Sequence, residues 1–189
     1  MTQTIQPEHT QADIFCSVII PTIGRDKLTR AVESALSQEL DAAFEVIVVN
    51  DSGKRLPEAA WQRDGRVQII NTNKRERCVA RNTGAALARG RYLHFLDDDD
   101  WLLPGAFAAL AQLSCEAPNA DWLHGSTQLV DRDSNKIIEL HHQLEGNCFT
   151  QTMAGEWIPL QSSLIKSSAF FEIGGFNPHI LATQDMDLG

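Results

Sequence analysis

The sequence predicts an α/β domain: a mainly parallel central sheet flanked by helices, followed by a smaller antiparallel portion. Three observations carry this expectation. Residues 15–20 (FCSVII), 44–49 (FEVIVV) and 92–96 (YLHFL) are short apolar runs with the near-continuous hydrophobicity of strands buried on both faces. Segments with helical spacing of apolar residues lie between them, as in βαβ units. From residue 121 onward the alternation of strand and helix gives way to a hairpin pattern.

Taken in order, residues 1–13 are polar, rich in Gln and Thr, and read as a loose tail. The first strand, 15–20, is expected to end at Pro21 and to lead into a loop over 21–25. Leu28, Ala31, Val32, Ala35 and Leu36 form one apolar stripe of a helix over 27–38. The strand 44–49 ends in the turn formers Asn50, Asp51, Ser52 and Gly53. A weak helix is expected over 56–63 and a short third strand over 67–70. Residues 76–89 form a helix closed by Gly90, and 92–96 a strand that delivers Asp97, Asp98, Asp99 and Asp100 to its C-terminal end. Beyond the cluster come an amphipathic helix over 104–113 and a hairpin of 121–130 with 136–140. A strand over 161–166, a short helix over 168–173 and a sharp turn at Gly174-Gly175-Phe176 complete the reading.

A chain of 189 residues is long enough for one domain with a real core and short for two. We expect a single domain over 14–189, its half 14–103 binding a nucleotide and its half 104–189 shaping the acceptor side. Hydrophobic residues make up 43% and charged residues 22%, which is globular composition. The net charge of -9 argues against a nucleic-acid partner, since phosphate-backbone binding shows itself as a basic excess. Cys16, Cys78, Cys115 and Cys148 are widely spaced without a C-x-x-C pair, as expected of reduced structural cysteines. Neither a signal peptide nor a transmembrane stretch is visible, so a cytoplasmic protein is expected, with peripheral membrane contact compatible.

The acidic cluster is the chemical centre of the sequence. Four like charges at the mouth of an apolar core repel, raise one another's pKa and call for a counter-ion. A hard divalent metal, bound through carboxylate and ligand phosphate oxygens, answers that need. The competing reading is a solvated acidic turn at the start of the next helix. The position directly after a buried strand favours the ligand site, because open α/β sheets bind ligands outside the carboxyl ends of their strands. Asp51 reaches the same rim, either to accept hydrogen bonds from a base or ribose or to make an Asx turn. Asn50-Asp51-Ser52 also spells a glycosylation acceptor, disfavoured at a strand end. Arg75, Arg77 and Arg81 near a helix N-terminus oppose the macrodipole unless an anion lies close, and a diphosphate would supply one. His141-His142 reads as an exposed strand end and not as a metal site.

Together the motifs resemble the inverting nucleotide-sugar glycosyltransferases of family 2, which have the GT-A fold. The residues concerned are SVIIPT (17–22), VIVVNDS (46–52), ARNTG (80–84), ARGRYLHFLDDDDW (88–101), IGGF (173–176) and QDMDL (184–188). The resemblance implies that Asp97 and Asp99 form the D-x-D motif. Asp97 would then lie near the ribose, and Asp99 would coordinate Mn²⁺ or Mg²⁺ bridging the donor diphosphate. Asp98 and Asp100 would be supporting or helix-capping groups, with Asp98 counted among the nucleotide-binding residues. Pro21, Thr22, Arg25 and Asp51 map onto the nucleoside region, and Arg81 onto a residue that faces the nucleotide.

Asp185 matches the family's catalytic base, with Gln184 in place of the usual Glu and Asp187 the lesser candidate. Family members usually continue beyond this motif with a helix that helps close the acceptor site, whereas this sequence ends at Gly189; a C-terminally truncated domain is therefore expected. The function implied is metal-dependent sugar transfer, most readily from a UDP-sugar, to a glycan, lipid-linked or other hydroxyl acceptor in cell-envelope polysaccharide or glycan synthesis. The alternatives are a nucleotide-binding or regulatory protein on the same scaffold and, less favoured, a nucleotidyltransferase. The loop 21–25 is short, with one Gly, and offers no triphosphate cradle.

Overall fold

The computed structural model describes residues 13–73, 76–131 and 133–179. Strands β1 (Ile14–Thr22), β2 (Ala43–Asn50), β3 (Val67–Asn71) and β4 (Tyr92–Phe95) pair in parallel in the order β3-β2-β1-β4. Helices α1 (Leu28–Leu36) and α2 (Arg77–Leu87) make the crossovers that parallel pairing requires. After β4 come α3 (Ala106–Glu116) and the short strand β5 (Trp122–His124). Next is the separate two-stranded ribbon of β6 (Thr127–Val130) and β7 (Lys136–Leu140). A short helix α4 (Phe149–Met153) leads to β8 (Ser163–Lys166), which pairs antiparallel with both β4 and β5 and completes a six-stranded sheet. The last described element is α5 (Ser167–Glu172).

The twofold alternation along the strands divides the core. Val18, Ile20, Val46 and Val48 face α1 and α3, where they bury Ala31, Val32, Phe107 and Leu110. Ile19, Ile47, Val49, Leu93 and Phe95 face the other way, against Ala80, Ala85, Phe170 and Phe176. Gly84 lets α2 ride close to the sheet, since a Cβ there would stand 2.5 Å from Ile19 Cγ2. At the N-terminal end of the sheet, Glu45 accepts hydrogen bonds from Ser17, from the Arg89 backbone and from the Arg89 guanidinium. Burial raises its pKa, but these bonds outweigh that effect and hold the carboxyl below its ordinary range.

Several elements differ from the sequence expectation for identifiable reasons. Pro21 does not end β1, which runs on to Thr22, opposite Asn50. Ile19 O accepts from Leu96 and Thr22 O from Asp51, so alternation turns Pro21 toward the β4 side, beyond Phe95, the last β4 partner. The missing N–H thus falls where the ladder has already ended. The segment 121–130 is two strands: the chain leaves the main sheet at Gly125, whose N–H is taken by Ser162 O, before β6 joins β7. The helix expected over 56–63 shrinks to a 3₁₀ turn at Ala60–Arg63, anchored by buried Trp61. Among the described residues no helix is long and apolar enough to cross a membrane.

Candidate functional site

The C-terminal ends of β1, β2 and β4 meet at one rim, and the loop after β4 crosses it. Leu96 N–H still bonds Ile19 O, and a turn closed by Asp100 N–H to Asp97 O at 3.1 Å then fans the four carboxylates apart. Asp97 accepts from Arg81 Nη2 at 2.7 Å and from Gln161 Nε2 at 3.2 Å. Asp98 turns inward, 3% exposed, to Thr22 Oγ1 at 2.5 Å and Arg25 Nη1 at 2.9 Å. The same Arg25 nitrogen pairs with Asp99 at 2.9 Å. Among the described residues Asp100 has no such ion-pair partner. Burial first, then repulsion from Asp97 and Asp99, pushes its carboxyl up to about 6, against the weaker pull of Lys27 and Arg25.

Among these side chains, four carboxylates face the two guanidiniums of Arg25 and Arg81, so two negative charges are left uncompensated. Oxygens of Asp97, Asp99 and Asp100 lie within 4.8 Å of one another. An all-oxygen donor set with that residual charge fits a hard divalent cation. The D-x-D motif assigns the metal to Asp99 alone and makes Asp100 a supporting or helix-capping group. Here Asp100 converges with Asp97 and Asp99, and α3 is capped otherwise: Gly105 precedes it at φ 81, and Gln38 Oε1 accepts the Phe107 N–H at 3.1 Å.

Beside the cluster opens a cavity of about 200 Å³, lined by Pro21, Thr22, Ile23 and Arg25 after β1, by Asp51 after β2, by Glu76, Arg77 and Ala80 of α2, and by Asp97 and Asp98. Asp51 is buried here, its carboxylate accepting from Thr72 Oγ1 at 2.6 Å and Glu76 N–H at 2.7 Å. The Asx turn belongs instead to Asn50, which accepts from Ser52 N–H at 3.2 Å. Asn50 is also buried, and its amide donates to Lys54 O and Asn71 Oδ1. A larger groove, about 560 Å³, lies elsewhere on the described residues. It lies open on the outer face of α1 beside Trp101, and none of the four aspartates lines it.

The helix expected to present arginines to an anion carries its own anion. Glu76 caps α2, accepting from Cys78 N–H and Val79 N–H. Arg81 is 3% exposed and turned to Asp97, so it stands behind the cavity wall and does not line it. Arg77 lines the cavity, whereas Arg75 lies outside the described residues. So does the predicted base Asp185, together with Asp187. Cys16 and Cys78 are free and buried, their thiols pushed up by burial to about 12 and about 11, as suits structural cysteines. His142 meets Thr127 Oγ1 at 3.2 Å, and among the described residues the histidines form no metal-ligand group. Sequence reasoning missed Gln161, Glu76 and Gln38. Gln161 and Gln38 work through partners far along the chain, which no local pattern reveals, whereas Glu76 opens the predicted 76–89 helix and was within reach of the rule that acidic groups favour helix N-termini.

An open α/β sheet with a carboxylate-lined cleft at its switch point, extended by antiparallel strands, is the architecture of a GT-A domain. The chain matches the model of Glycosyl transferase family 2 over residues 17–176 and belongs to that family. An uncharacterized glycosyltransferase of Haemophilus influenzae is 25% identical over 174 residues, covering 90% of this chain and 59% of the relative. YwdF of Bacillus subtilis is 26% identical over 179 residues, covering 90% of this chain and 65% of that protein. The succinoglycan biosynthesis protein ExoO of Rhizobium meliloti is 42% identical over 82 residues, covering 42% of this chain and 23% of ExoO. The chain thus spans 59% and 65% of the first two relatives' length. Among solved structures, S. aureus TarS 1-349 in complex with UDP-GlcNAc superposes with a TM-score of 0.68 at 15% identity, over 92% of this chain and 51% of that one.

Proposed function

We propose that the chain transfers a sugar from a nucleoside-diphosphate sugar, with UDP the favoured nucleotide, to an acceptor hydroxyl with inversion at the anomeric carbon. The observation that carries this reading is the convergence of Asp97, Asp99 and Asp100 oxygens within 4.8 Å beside a cavity at the sheet's C-terminal rim. Family membership favours sugar transfer over nucleotidyl transfer. The fold shared with TarS, which was solved with UDP and with UDP-GlcNAc, supports UDP as the nucleotide.

In this reading Pro21, Thr22, Arg25 and Asp51 shape the nucleoside pocket, and Asp97, backed by Arg81, meets the ribose. Asp99, with Asp97 and Asp100 at its side, holds Mn²⁺ or Mg²⁺. When bound, such a cation acts as a Lewis acid toward the departing diphosphate. Arg25, half-exposed and bridging Asp98 and Asp99, sets the spacing of those carboxylates and offers its remaining N–H groups to phosphate. Asp98 ties that loop to β1 through Thr22. Asp185 serves as the base that takes the acceptor hydroxyl proton, a role resting on its sequence motif. The likeness to ExoO favours polysaccharide synthesis as the setting. A cytoplasmic site, with a glycan, lipid-linked or other hydroxyl acceptor, completes the reading.

Calorimetric titration of UDP, GDP and dTDP, each with and without Mn²⁺, into the chain and into Asp99→Ala tests it. Manganese-dependent binding of one nucleotide, lost in the variant, is expected, and Asp185→Asn then abolishes transfer while leaving binding intact. A folded chain that binds none of the three overturns the proposal. Binding without transfer from any sugar donor to any hydroxyl acceptor leaves the scaffold a nucleotide-binding protein.

A further inference from the structure

Asp97 is held from behind by a line of contacts that starts at Asn82, a residue with no place in the cavity. The Asn82 amide grips the backbone of Phe176 twice. Its Nδ2 donates to Phe176 O at 2.7 Å, and its Oδ1 accepts the Phe176 N–H at 3.0 Å. The turn ahead of Phe176 is shaped for this approach. Gly174 and Gly175 have φ of 86° and 73°, and a Cβ on Gly175 would stand 2.9 Å from Asn82 Oδ1 and 3.1 Å from the Phe170 ring. Phe176, thus anchored, packs edge-on against Phe95 and Phe170 at 5.0 and 5.5 Å, and its ring lies 5.2 Å from the Arg81 guanidinium. Arg81 is sealed in by this shelf, with Nε buried without a partner among the described residues and Nη2 directed to Asp97 at 2.7 Å.

We propose that Asn82 is a positioning residue for the donor site: by clamping the 174–176 turn beneath Arg81 it fixes the direction of the Asp97 carboxylate. The proposal rests on the reading of Asp97 as part of the metal and nucleotide site. Its physical basis is rigidity. Arginine carries many rotamers, and a guanidinium directs a carboxylate only while packing removes that freedom. Asp97 is itself partly exposed, with 26% of its side chain accessible, so Arg81 and Gln161 supply the constraint that burial does not. Loss of the clamp admits water under Arg81 and lets the carboxylate wander by the fraction of an ångström that weakens an oxygen-ligand site.

The test compares the full chain with Asn82→Ala, Gly175→Ala and Glu45→Gln. Thermal unfolding, calorimetric affinity for UDP with Mn²⁺ and the ¹⁵N–¹H signals of the Arg81 guanidinium are recorded for each. Asn82→Ala and Gly175→Ala should unfold cooperatively, weaken UDP–Mn²⁺ binding roughly tenfold to a hundredfold, and collapse the resolved Arg81 N–H signals into an averaged one. Glu45→Gln, which loosens the opposite end of the sheet, should lower the melting temperature and change neither of the other readouts. Where Asn82→Ala fails to fold, Gly175→Ala decides, because it presses on the same clamp from the other side. Parent-like affinity and an unaltered Arg81 signal in the folded variant overturn the proposal. A parent chain that binds no UDP overturns the donor-site reading instead, while the Arg81 signal still decides whether Asn82 holds the Arg81–Asp97 pair.

Discussion

Single residues set the electrostatics of this protein, and His94 shows how. On β4 it is fully buried, its Nδ1 bonded to Ser163 O at 2.7 Å, its ring edge-on to Phe107, and its Nε2 without a partner among the described residues. A carbonyl only accepts, so Nδ1 carries a proton toward Ser163 O. Burial lowers its pKa from 6.5 to about 4, and the Ser163 bond opposes that only in part. Between those values the unfolded chain binds a proton that the folded chain refuses. Stability from this group is therefore complete above about pH 6.5 and declines as pH falls toward 4, by on the order of 3 kcal/mol in all. Denaturant midpoints measured from pH 4 to 7 should show this slope, and His94→Leu should remove that share of it. Thr22→Val is the companion case at the rim. It leaves the buried Asp98 carboxylate with Arg25 alone and should cost about 1–3 kcal/mol, measured by chemical denaturation.

At the scale of elements, the site depends on how closely α2 and its flanking turn approach β1. Gly90, just after α2, passes so near that a Cβ would meet Ser17 N at 2.5 Å and Cys16 C at 2.6 Å, both backbone atoms that cannot step aside. Gly65, before β3, has nothing within 4 Å of the same added atom. Gly90→Ala should therefore destabilise by about 1–3 kcal/mol or more, and Gly65→Ala should stay within about 0.5 kcal/mol of the parent. Equal losses at both positions in urea unfolding would contradict the close approach. The α2 sequence announced a helix by its apolar spacing and terminal Gly90. Its acidic cap Glu76 is local, accepting from N–H groups two and three residues on, whereas the turn of Arg81 toward Asp97 depends on β4 standing where it does, which no local pattern encodes.

For the whole molecule, a cation that binds the folded state alone must stabilise it. If Asp97, Asp99 and Asp100 hold a divalent metal, Mn²⁺ at a hundred times its dissociation constant should add about 2.7 kcal/mol. The melting temperature would rise with Mn²⁺ and fall back on chelation, with no response in Asp99→Ala. The same three carboxylates illustrate how far the sequence carries the argument. Strands 15–20, 44–49 and 92–96 were legible because burial on both faces demands uninterrupted apolar residues, and a run of four aspartates after such a strand has few peaceful uses. Parallel pairing and the rim location of the cluster follow from the alternation of strand and helix, whereas the strand order β3-β2-β1-β4 is a matter of the fold. What each aspartate does was decided only in three dimensions. Asp98 was drawn inward by Thr22 and Arg25, Asp97 was backed by Arg81 and by Gln161 from the turn just before β8, and Asp100 was left beside Asp97 and Asp99. Identical side chains in one tetrad have identical local propensities, so only the partners that tertiary packing brings to each can tell them apart.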